Sequence, residues 1–144
     1  MKPLLTWQVW AVLSAFFAAL TAILAKAGVA GVGSDYATFV RTLVILCVVG
    51  GILAATGGWQ APGSVPARAY VFLVLSGVAT GASWLCYFRA LSLGEAARVA
   101  PLDKLSVVLV ALFGALFLGE HLSGPNWLGV ALIAAGAVLV AYRG

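Results

Sequence analysis

Apolar residues run along this chain in stretches too long for one face of a soluble element, broken by short polar punctuation. A helix needs about 20 mostly apolar residues to cross a hydrocarbon layer about 30 Å thick, because each residue advances about 1.5 Å. The first run lies between Lys2 and Lys26 without an internal charge and predicts a span over about residues 4–25, with Trp7 and Trp10 as interfacial anchors. It exceeds the roughly 7 to 15 apolar residues of a cleaved signal peptide. The Gly-rich stretch Gly28 to Ser34 reads as a turn, and Ser34 and Asp35 suit the N-cap of a second span over about residues 36–56, which carries Arg41. Gly57, Gly58, Pro62, Gly63 and Pro66 predict the longest loop, before a third span over about residues 69–91. A short link holding Glu95 and Arg98 leads to a fourth span over about residues 99–118, with Pro101 in its first turn, where a missing N–H is tolerated. Gly119 to Gly124 reads as a turn, and Pro125 opens a fifth span over about residues 125–142, closed by Arg143.

The pattern therefore predicts an all-α, polytopic membrane helix bundle of about five transmembrane helices. Composition agrees: 64% of the residues are hydrophobic, 8% are charged and the mean hydropathy is +1.13, whereas about a quarter of a soluble domain is charged. The first expected partner is the lipid bilayer. Five crossings place the two ends on opposite sides, and the charges can then be sorted. Lys2, Arg68, Glu120 and His121 fall on the N-terminal side; Lys26, Arg89, Arg98 and Arg143 fall on the other, with Arg41 and Lys104 in helices near that same face. Since basic residues prefer the cytoplasm, the N-terminus is expected outside and the C-terminus inside. The net charge of +4 marks no nucleic-acid site, because the Lys and Arg residues are scattered singly. Cys47 and Cys86 lie in apolar runs and read as small hydrophobes, not as a disulfide or a metal site.

Charges inside a span are costly, about 2.5 to 3.5 kcal/mol at a helix centre, so each calls for a partner or a water-filled space. Arg41, Asp103 and Lys104 qualify, all within roughly 10 Å of one helix end. Arg41 and Lys104 can snorkel to the headgroups; the shorter Asp103 cannot reach so far and is expected to pair with Arg41 or Lys104, or to line a polar path. In the third span Ser76, Thr80, Ser83 and Tyr87 recur at helical spacing beside Gly77 and Gly81, which favours close helix packing and makes Ser83 and Tyr87 candidate path residues. Trp84 reads as a belt or packing aromatic. No hydrolytic triad, phosphate loop or metal-ligand spacing is present and His121 stands alone, so no catalytic residue, metal or cofactor is assigned and no enzyme is expected.

The second half carries Phe88-Arg89-Ala90-Leu91, Gly94-Glu95-Ala96, Val99-Ala100-Pro101-Leu102, Leu118-Gly119-Glu120, Leu122-Ser123, Trp127-Leu128-Gly129 and Gly136. This string resembles the EamA domain of the drug/metabolite transporter superfamily. The first half fits more loosely, through Trp7, Lys26 and Arg41-Thr42-Leu43. The resemblance implies a single five-helix module over residues 1–144, in the manner of the short branch of that family. It also implies that the segment from Pro101 to Val108 lines or abuts a substrate cavity, and that Gly119-Glu120 and Trp127 define the fold. Familiar members join two such modules as inverted repeats around a central site. One module cannot complete that site, so a homodimer or a paired subunit is expected.

The expected function is a multi-pass transporter of the inner or plasma membrane for small molecules of metabolite or drug type. The alternative is a non-transporting assembly or regulatory subunit. A proton-coupled multidrug exporter fits less well, because the first span lacks an embedded acidic residue.

Overall fold

The structure is a computed structural model that describes residues 6–142; Lys2 and Arg143 lie outside them. The described residues are all-α, and five helical segments among them are long and apolar enough to cross a membrane. They are α1 (Trp7–Gly28), α2 (Ser34–Thr56), α3 (Ala67–Leu93), α4 (Ala96–Asp103) continued by α5 (Ser106–Phe117), and α6 (Gly124–Ala141). Most side chains in these spans are exposed, as befits helices whose solvent is lipid tails and whose backbone polar groups are satisfied internally.

The boundaries differ from the hydropathy reading in instructive places. α1 continues through Gly28, which puts Lys26 inside its last turn. The N-cap of α2 is Gly33, so Ser34 and Asp35 are its first helical residues and not its caps; the Ser34 hydroxyl donates to the Asp35 carboxylate at 3.1 Å. α2 ends on Gly57, whose left-handed φ of 65° lets its N–H return to the Leu53 carbonyl. The loop that follows holds a 3₁₀ turn at Pro62–Ser64.

The fourth span departs most from expectation. Helix α4 begins at Ala96, so Pro101 is its sixth residue and sits inside the helix, not in a tolerant first turn. With no N–H, Pro101 leaves the Ala97 carbonyl without its helical donor and crowds it with its ring. A few residues on, the ladder tightens: Lys104 N–H donates to the Pro101 carbonyl and Leu105 N–H to the Leu102 carbonyl, both at 3.0 Å and three residues back. The chain stays in helical φ and ψ at Lys104 and Leu105, so the span is interrupted by a 3₁₀ step and then resumes as α5.

The chain divides into two compact units, one holding the residues up to Leu24 and from Leu93 onward, the other Ala25–Ser92. In the first, α6 packs on both α4 and α5. The turn before α6 rests on Gly119, at φ +66°, and the Glu120 N–H donates to the Gly114 carbonyl at 3.0 Å. The Glu120 carboxylate folds back over Gly114 so closely that a Cβ there would lie 2.6 Å from Oε2. In the second unit Phe88 and Leu91 are fully buried, and Ala25, Val29, Ser34 and Thr38 are buried with them. The Lys26 ammonium donates to the Leu91 carbonyl at 2.6 Å. A cation there meets the unsatisfied carbonyls at the C-terminus of α3 from the C-terminal turn of α1, where both helix dipoles favour it.

Candidate functional site

Two places bring the singled-out residues together, one in each unit. In the unit Ala25–Ser92, positions 34, 38, 41 and 45 form one stripe of α2, all buried or half-buried, and positions 81, 84, 88 and 91 do the same on α3. Both spacings follow the helical repeat. Arg41 is the charged member of these stripes. Its guanidinium carbon lies 4.3 Å from the centroid of the Trp84 ring and 5.2 Å from that of Phe88. Trp84 and Phe88, four residues apart on α3, thus provide two aromatic faces for one cation, an attraction that strengthens as water is excluded. Tyr87 stands edge-on to Phe88, with ring centroids 6.4 Å apart.

Beside Arg41 the threonine hydroxyls of α2 are turned back to its own backbone. Thr38 Oγ1 donates to the Ser34 carbonyl at 2.9 Å and Thr42 Oγ1 to the Thr38 carbonyl at 2.8 Å, both back along α2. Among the described residues of this unit Arg41 forms no ion pair, and Tyr87 is its electrostatic neighbour. The cation is therefore held through its π-face contacts with Tyr87 beside it, and its N–H donors form a planar fork.

The second place is the α4–α5 junction. Pro101, Asp103 and Lys104 gather there, and the Asp103 carboxylate lies 3.4 Å from the Lys104 ammonium, the side chains being 37% and 54% exposed. Of the two partners open to Asp103, the adjacent Lys104 is the one it meets within its own unit. Glu95 and Arg98 form a comparable exposed pair at 3.4 Å at the start of α4. Ser83 is exposed on α3 beside Trp84. Gly77 and Gly81 have open space where a Cβ would stand, and both cysteines are free thiols.

Trp84 and Phe88 are the residues that sequence reasoning passed over as partners of Arg41. The available signal was their separation of four residues, which stacks them on one helix face.

Comparison with known proteins closes the question of kinship. The model of the EamA-like transporter family matches residues 5–142. A Sinorhizobium sp. protein named as an uncharacterized transporter in the cobO 3' region is 68% identical over 136 residues, which cover 94% of this chain and 96% of that protein. The riboflavin transporter of Rhizobium johnstonii is 32% identical over 129 residues, covering 90% of this chain but 41% of that protein. No solved structure shows significant similarity to the chain. With five helices among the described residues long and apolar enough to cross a membrane and a family match from residue 5 to residue 142, the chain belongs to the EamA-like transporter family and is a membrane transporter.

Proposed function

We propose that this chain moves small organic molecules across the inner or plasma membrane by alternating access, as a homodimer or together with a paired subunit. The observation that carries the reading is the match of one family module across all five spans. The riboflavin transporter supports the pairing, because this chain aligns with only 41% of it and the remaining length is what a second module would supply. It also makes flavins and other planar heterocycles the first compounds to try. The basic residues Lys26, Arg89, Arg98, Arg41 and Lys104 favour a cytoplasmic C-terminus and an external N-terminus. If all copies insert that way, the dimer is parallel. An inverted partner would have to be a different chain.

The test is flux into vesicles reconstituted with this chain alone, using a metabolite panel that includes riboflavin, and comparing wild type with Asp103→Asn. Saturable uptake weakened by the substitution is the expected result. Absence of flux for every compound would favour a non-transporting subunit. Reporter fusions at both termini read the orientation independently, and crosslinking within the membrane reads the pairing.

A further inference from the structure

We infer that the Arg41 guanidinium, seated against Trp84 and Phe88, is the recognition point for the oxyanion, carboxylate or phosphate, of a small organic anion. The inference rests on the transporter reading and names the class of substrate.

Arg41 lies seven residues into α2, roughly 10 Å along the helix from its start. A guanidinium left there without an anion carries a large insertion cost, which the usual snorkelling of its side chain would relieve. The ring contacts argue against snorkelling. Phe88 stands five residues from the end of α3 and Trp84 nine, roughly 8 and 13 Å along the axis. The nearer ring, at 4.3 Å, is that of Trp84, the deeper of the two. The cation is thus held inward against α3. Phe88 beneath it is 2% exposed, so this wall is anchored in the packed part of the unit.

A guanidinium whose π face is covered still presents its N–H donors at the edge, where a planar carboxylate or a phosphate is gripped by two parallel hydrogen bonds. Among the described residues of this unit Arg41 forms no ion pair, and the Asp35 carboxylate accepts from the Ser34 hydroxyl. The chemistry left open is that of an incoming oxyanion. The half-buried Trp84 and Tyr87 and the exposed Ser83 offer its organic body an aromatic and hydroxyl surround.

The test uses the purified chain in phosphatidylcholine nanodiscs, with the thermal unfolding shift followed during titration of benzoate, phenyl phosphate and the neutral benzyl alcohol. At least one of the two anions should stabilise the wild type, and benzyl alcohol should not. Arg41→Gln should weaken the anion effect on the order of 10- to 100-fold, the range expected for losing charge-assisted hydrogen bonds. Arg41→Lys, which keeps the charge without the fork, should fall between them and serves as the comparison if Arg41→Gln does not fold. Anions that act equally on wild type and both variants, or on none, overturn the assignment. So does Arg41-dependent stabilisation by phosphatidylglycerol discs without any response to the soluble anions, since the oxyanion would then be a lipid headgroup. Flux separates the two readings. Arg41-dependent anion binding without transport would sink the transporter reading and leave the site. Transport of neutral solutes alone, indifferent to Arg41→Gln, would do the reverse.

Discussion

In the α2–α3 region one cation is held against the faces of Trp84 and Phe88, whereas at the α4–α5 junction Asp103 and Lys104 neutralise each other across 3.4 Å. Both regions place charge within a membrane-crossing segment. The first leaves a net positive charge on a packed aromatic wall; the second leaves none, on a stretch where the helix itself is interrupted. A retained charge on a rigid support suits recognition of a ligand that carries the opposite one. A neutral pair at a 3₁₀ step suits a segment that bends, because neither partner must be desolvated alone when the backbone rearranges. The two regions thus differ in retained charge and in helical continuity, and the comparison can be broken experimentally at each end.

The largest effect should come from the wall. Phe88→Ala removes a side chain that is 2% exposed together with one of the two rings facing Arg41, and should lower stability by roughly 3–5 kcal/mol, the usual range for an aromatic truncated within a packed interior. Phe39→Ala, on α2 with the side chain 57% exposed, should shift the midpoint little. Thermal unfolding of both variants in detergent checks the contrast. Equal shifts would mean that the α2–α3 region is no better packed than the lipid-facing surface.

A smaller effect is expected at Lys26. Lys26→Met keeps the stem but withdraws the ammonium from the Leu91 carbonyl, and should lose about 1.5–3 kcal/mol because a hydrogen bond to a charged donor is removed at a fully buried residue. Arg68→Met provides the counterpart. Its guanidinium lies 5.6 Å from the Phe72 ring at the exposed start of α3, and its loss should cost well under about 1 kcal/mol. Similar melting points for the two variants would remove Lys26 from the supports of the wall.

These contrasts show which part of the molecule is written in hydropathy. The long apolar runs announce the five crossings because hydrocarbon demands a nearly fixed length of helix, and the Gly and Pro clusters announce the connections. The family motifs in the second half announced the transporter kinship, and the match over residues 5–142 agrees. Arg41, Asp103 and Lys104 stood out because charge is rare in lipid. What stayed hidden depends on register between elements. Whether Arg41 meets Trp84, a carboxylate or the headgroups is decided by the rotation of α2 against α3, which no periodicity within α2 contains. The break after Asp103 was hidden for a different reason: a helix start placed at Val99 instead of Ala96 puts Pro101 in a tolerant first turn and conceals its interior position.

The smallest effect should be at the α4–α5 junction, and its size is the sharpest measure of the difference between the regions. In a double-mutant cycle of Asp103→Asn and Lys104→Gln, the coupling in unfolding free energy should stay below about 1 kcal/mol, as for exposed pairs generally. Two physical reasons lie behind this. The side chains are 37% and 54% exposed, so their attraction is screened. They are also chain neighbours, so the pair survives in the unfolded ensemble, and whatever survives there cancels from the stability. The Asp103→Asn effect on flux should therefore exceed anything its effect on the melting midpoint would suggest. A coupling above about 2 kcal/mol would mean that Asp103 and Lys104 are shielded from solvent when the protein is assembled in its membrane, and the α4–α5 junction would then be a second packed wall.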